Sequence, residues 1–226
     1  MFVDDVLFIA FPYAAVVLAV AVTLYRYFTD RFSYSTFSSQ FLEGRALFWG
    51  SVPWHYGILI ILLAHLVAFL WPSGWASFIA SPTRLWVLEM IGFALALAAL
   101  LGLSLLTLRR LTQARIKVVT SPMDWVLLAL LLSQVALGFW DALFYRWGSD
   151  WYLFTAVPWL MSLVKFQPDT TFVTSLPWLV KLHMLGGFAI IAVFPFTRLV
   201  HVVTVPVTYL WRPYQVVIWN RRSREA

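Results

Sequence analysis

The sequence predicts an all-α membrane protein: five transmembrane helices in a bundle, with interfacial helices in the loops. Three observations carry that expectation. Hydrophobic residues make up 62% of the chain and charged ones 12%, with mean hydropathy +0.83, outside the range of soluble domains. Five apolar stretches of membrane length alternate with polar or basic connections. All four histidines fall inside two of those stretches, where an ionisable side chain is costly and usually functional.

Span one covers about 7–25, with Pro12 near its start and neither charge nor histidine, so its expected role is packing and anchoring. The preceding MFVDD lacks the basic stretch of a cleavable signal, and the span is expected to be retained. From Arg26 to Pro53 the chain is too polar to cross and too aromatic for a free linker, which predicts a partly helical interfacial segment. Span two, about 54–71, is flanked by tryptophans and stops at Pro72. Span three, about 85–108, carries only Glu89, near its start. Span four, about 123–140, opens on TSPMD: Ser121 suits the N-cap, Pro122 the first helical position and Asp124 the positive helix end. Between Asp141 and Lys181 lies a connection rich in Trp, Tyr, Phe and Pro, long enough to demand local structure such as an interfacial helix over the outer end of the bundle. Span five is about 182–203, followed by a basic tail, 207–226; the whole, 1–226, reads as a single membrane domain.

Cysteine is absent, which excludes disulfides, covalent haem attachment and iron–sulfur ligation by this chain. The net charge of +6 does not imply nucleic acid, because in a lipid-embedded protein basic residues report topology. Arg26, Arg31, Arg45, Arg109, Arg110, Arg115, Lys117, Arg198, Arg212, Arg221, Arg222 and Arg224 share one side; Arg84, Arg146, Lys165 and Lys181 share the other. The positive-inside rule then puts the N-terminus outside and the tail in the cytoplasm, in a multi-pass cytoplasmic-membrane protein.

Span two carries His55 and His65; span five carries His183 and His201. Since the spans run antiparallel, His55 shares the cytoplasmic depth with His201, and His65 the outer depth with His183. Two histidines at each of two depths predict two non-covalent b haems between spans two and five, each iron held by two imidazoles. The rises disagree, about 15 Å for His55 to His65 against about 27 Å for His183 to His201, so the site requires tilt or a bend, expected at Pro195. Averaging them places the irons about 20 Å apart. Gly186 and Gly187 either let a flat ring approach the backbone or are the glycines common in membrane helices, and Arg198 either pairs with a propionate of the inner haem or snorkels to the cytoplasmic interface. A transporter with proton-relaying histidines is the alternative from another class; it asks for broken half-helices or a mid-span acid, and neither is visible in the sequence.

These residues carry a resemblance. LYRY closing span one, SSQFL at 38–42, histidines ten apart in span two, ALGF at 136–139, and HMLGGFAIIAVFPFTRLVH followed by VPVTYL resemble the gamma subunit of respiratory nitrate reductase, almost end to end. The resemblance implies a membrane cytochrome b that takes electrons from quinol and passes them to a cytoplasmic iron–sulfur subunit and a molybdenum catalytic subunit. It implies that His65 and His183 hold the outer haem and His55 and His201 the inner one, in agreement with the depths. It also implies a quinol site beside the outer haem, with a basic residue early in span three. The family's lysine has no clear counterpart there, so Arg84 is the candidate, or Trp86 in its place. A related cytochrome b of another reductase, or of a nitrite-oxidising complex, fits this chain equally, because substrate chemistry belongs to a partner.

Overall fold

A computed structural model of the chain describes residues 2–30 and 45–204, and all regular structure among them is helical. Five helices are long and apolar enough to cross a membrane: Phe2–Thr29, Leu47–Leu70, Pro82–Thr112, Pro122–Phe144 and Trp178–Phe196. These correspond to the five expected spans. The first four run beyond the apolar core at one or both ends, because helical hydrogen bonding continues through polar interfacial residues such as Arg109 and Arg110. SSQFL, VPVTYL and the basic tail lie outside the described residues.

Glycines set the seam between spans two and three. A Cβ on Gly102 would come within 2.6 Å of both the Gly50 carbonyl and the Trp54 amide, and one on Gly57 within 2.7 Å of the Leu95 carbonyl. Small residues of this kind let membrane helices approach backbone to backbone. Beside the seam, Trp54, Ala99, Leu103 and Val135 form a buried cluster that brings in span four. Span four packs on span three and span five, and span five on span one. Spans two and five share no comparable packed face among the described residues.

The connection after span four is more elaborate than a single interfacial helix. It comprises short helices at Gly148–Trp151, Val157–Val164 and Thr171–Thr174, with a π-helical turn at Tyr152–Ala156. Its apolar face is core: Phe8 of span one, Trp159, Leu163 and Val173 form the second buried cluster. Pro12 has no N–H to offer the Phe8 carbonyl four residues earlier, and Trp159 Nε1 donates to that carbonyl at 3.0 Å. Glu89 finds its role here too, its carboxylate accepting from the Gly148 and Ser149 amides at 3.2 and 2.8 Å.

Span five breaks where proline predicts. Its α-helix stops at Val193, Phe194–Phe196 is a 3-10 turn around Pro195, Thr197 is extended, and a second 3-10 turn leads to the helical residues His201–Thr204. His201 therefore stands past the break. The rise of about 27 Å that a straight helix would give between His183 and His201 does not describe this span.

Candidate functional site

An imidazole that binds a metal through one nitrogen usually donates the proton on the other to an acceptor, which fixes its tautomer and orientation. All four histidines are arranged this way. His55 Nδ1 faces the Ser51 carbonyl at 2.8 Å, His65 Nδ1 the Ile61 carbonyl at 2.8 Å, and His201 Nδ1 the Arg198 carbonyl at 2.7 Å. These acceptors lie three or four residues back, within reach of a helical side chain. His183 differs, its Nδ1 lying 3.1 Å from the Gln134 carbonyl of span four. A carbonyl can only accept, so each Nδ1 carries the proton and each Nε2 keeps its lone pair.

The His55 and His201 ring centroids are 6.3 Å apart across spans two and five. Two imidazoles on opposite sides of one metal, with bonds of about 2 Å, have centroids roughly 6 Å apart, so the pair fits a bis-imidazole iron. His65 and His183 stand at the other end, on spans two and five. His55, His183 and His201 are half-buried and His65 is exposed, as ligands beside an open seam would be.

Several neighbours were not visible in the sequence. Gln134 Nε2 donates to the His183 carbonyl at 2.9 Å, so this glutamine holds the histidine with both its side chain and its main chain. Gly138, within ALGF, is the floor under the same ring: a Cβ there would lie 2.8 Å from His183 Cε1. Gly186 serves a different purpose from the one expected, since the space its missing Cβ leaves is taken by the Gln134 amide. It mediates contact between spans four and five, not the approach of a flat ring. From the outer connection, the Tyr152 ring meets the His65 ring edge-on at 4.8 Å, and its hydroxyl donates to the His65 carbonyl at 3.3 Å. Burial pushes the Tyr152 phenol up to about 12.

Arg198 turns toward span four: its Nε donates to Asp124 Oδ1 at 2.6 Å and its NH2 to the Val119 carbonyl at 2.9 Å. Asp124 occupies the expected helix start, closing a capping box with Ser121. Arg84 is exposed and donates to the Ser77 and Phe78 carbonyls at 3.0 and 2.6 Å, capping the short helix Pro72–Ile79. It also lines an open groove of about 200 Å³ with Phe78, Thr83, Val87, Leu88 and Ile91.

Buried polar atoms without a partner among the described residues are Trp75 Nε1, Gln134 Oε1, both Asp141 carboxylate oxygens and Trp151 Nε1. Such atoms are costly unless something completes them. All lie toward the His65 and His183 end: beside His183, in the last turns of span four, or in the connections at that end.

The family model of the nitrate reductase gamma subunit matches residues 4–220, nearly the whole chain. The chain belongs to the nitrate reductase gamma subunit family. It is similar to the nitrate reductase gamma chain of Bacillus subtilis, with 35% identity over 94% of this chain and 96% of that one. It is also similar to the respiratory nitrate reductase 2 gamma chain of Escherichia coli, with 30% identity over 92% and 93% of the two chains. A nitrate reductase-like protein of Mycobacterium tuberculosis shares 30% identity with 95% of this chain, over 33% of its own length. As a gamma subunit, the chain is a multi-pass membrane component of an oxidoreductase complex.

Proposed function

We propose that this gamma subunit is a dihaem cytochrome b that oxidises quinol near the outer membrane face and passes electrons inward to a cytoplasmic iron–sulfur subunit of a molybdenum nitrate reductase. The observation that carries the reading is the His55 and His201 pair, 6.3 Å apart, each with Nδ1 committed to a main-chain carbonyl and Nε2 open. His55 and His201 hold the inner haem, His65 and His183 the outer one. When bound, two such bis-imidazole haems supply one-electron transfer with no open coordination position. Nitrate chemistry belongs to the partner subunits.

The unpartnered groups at the His65 end support a quinol there. A quinol both donates and accepts hydrogen bonds, matching two indole N–H groups on one hand and the Asp141 carboxylate and Gln134 amide oxygen on the other. Arg84 and its groove stand at the same end of span three, next to Trp86, and give an apolar approach from lipid with one cation beside it. Arg198 is assigned a second contact, to a propionate of the inner haem, beside its ion pair with Asp124. The chain resides in the cytoplasmic membrane with its N-terminus outside and its tail inside, facing the partners.

The test is spectroscopic. Purified in mild detergent, the chain is expected to show low-spin b-type absorption and two haems per polypeptide, and His65→Ala or His201→Ala to show one. A wild-type chain without b haem, or a His201→Ala chain that keeps both, would overturn the reading.

A further inference from the structure

His201 stands beyond the break at Pro195, at the start of the helical residues His201–Thr204, so the main helix of span five does not hold it. A tie to span four does. The Asp124 carboxylate, 4% exposed, accepts from Arg198 Nε at 2.6 Å through Oδ1. Through Oδ2 it accepts from the Ser121 amide at 2.9 Å and from Arg110 NH1 at 3.3 Å. Arg198 NH2 adds the bond to the Val119 carbonyl. Three residues on, the Arg198 main-chain carbonyl accepts from His201 Nδ1 at 2.7 Å. One residue thus fastens the segment to span four with its side chain and orients the imidazole with its carbonyl.

We infer that Asp124 and Arg198 are positioning residues for His201, fixing the depth and the plane of the inner ligand ring through an ion pair with span four whose carboxylate is buried and whose guanidinium is partly exposed. The inference rests on the reading of His201 as a haem ligand. His55 and His65 need no such device, because their acceptors belong to one uninterrupted helix. A buried ion pair is a poor source of net stability and a good source of geometric definition, since removing one partner leaves the other charge uncompensated. Here the defined geometry is that of a ligand set off from its helix by the break at Pro195.

The experiment is a redox titration, with electron paramagnetic resonance of the oxidised haems, on membranes containing the full complex. Asp124→Asn is expected to shift the inner-haem potential and low-spin signal while the outer-haem signal stays in place, with Asp124→Glu restoring the inner signal in part. Unchanged signals at both haems in Asp124→Asn would overturn the inference. Should Asp124→Asn lose both haems, Asp124→Glu decides, because it keeps the carboxylate that Arg198 and Arg110 pair with and only lengthens the arm that sets where Arg198 sits. A change confined to the inner haem then supports the inference, and no change or equal loss at both overturns it. His201→Ala keeps two failures apart. Two haems retained there mean that the ligand reading has failed; one haem lost there, with the Asp124 variants like wild type, means that only the positioning role has failed.

Discussion

Each imidazole has two nitrogens, and at four positions the fold commits one of them to a carbonyl. Three of those carbonyls are local, so the arrangement follows from placing histidine in a helix or turn; the fourth, from Gln134, requires span four to be in place. Tyr152 adds a contact from outside the bundle, and its value is open to measurement. Tyr152→Phe keeps the edge-on ring and removes the hydroxyl bond to the His65 carbonyl, an expected loss of about 1 kcal/mol. Tyr152→Ala removes the ring as well and uncovers His65. A phenol raised from 10.0 to about 12 stays neutral in the fold where the unfolded chain already ionises it. Its contribution is therefore full below pH 10 and falls as pH rises toward 12. In an alkaline titration of thermal stability in detergent, wild type is expected to lose stability across that window more steeply than Tyr152→Phe; identical curves would remove the buried phenol from the account.

At the scale of elements, two contacts hold the scaffold around the histidines. The seam of spans two and three has no room at Gly102: Gly102→Val must push Gly50 and Trp54 away, and overpacking of this kind costs about 1–3 kcal/mol or more. Reduced yield of folded chain in detergent is expected, while a valine tolerated at wild-type yield would mean that the seam is looser than described. Trp159, 1% exposed, ties the outer connection to span one through its ring and its Nε1 bond, so Trp159→Ala is expected to cost about 3–5 kcal/mol, read as a lower unfolding temperature with the connection open to protease. The number of spans, the capping box at Ser121 and the break at Pro195 were legible in the sequence, because composition, local hydrogen bonding and a missing N–H decide them. The second role of Asp124 was not, since its partner Arg198 lies 74 residues away, and neither was Gln134, whose histidine is 49 residues distant. A glutamine or one tyrosine among many aromatics carries no local mark of such a contact. Glu89 was visible as an acid near a span start, but its acceptor role depends on amides 59 and 60 residues on.

For the whole molecule, what matters is that the histidine pairs lie at different depths. His55 and His65 occupy one uninterrupted helix, and ten residues of it separate the two levels by about 15 Å, while in span five the second level lies beyond the break at Pro195. Levels about 15–20 Å apart span half to two thirds of a hydrocarbon core of about 30 Å. An elementary charge crossing the full field gains or loses about 2.3 kcal/mol per 100 mV, so one moving between the levels changes by roughly 1.2–1.5 kcal/mol. That is close to a factor of ten in its distribution. With the chain oriented in sealed vesicles and partly reduced, an imposed potential of about 100 mV, negative on the tail side, is expected to shift electrons roughly tenfold toward the His65 and His183 level. The two b-type spectra report the shift. A distribution indifferent to the imposed potential would put both haems at one depth and would end the reading of this bundle as an electron path across the membrane.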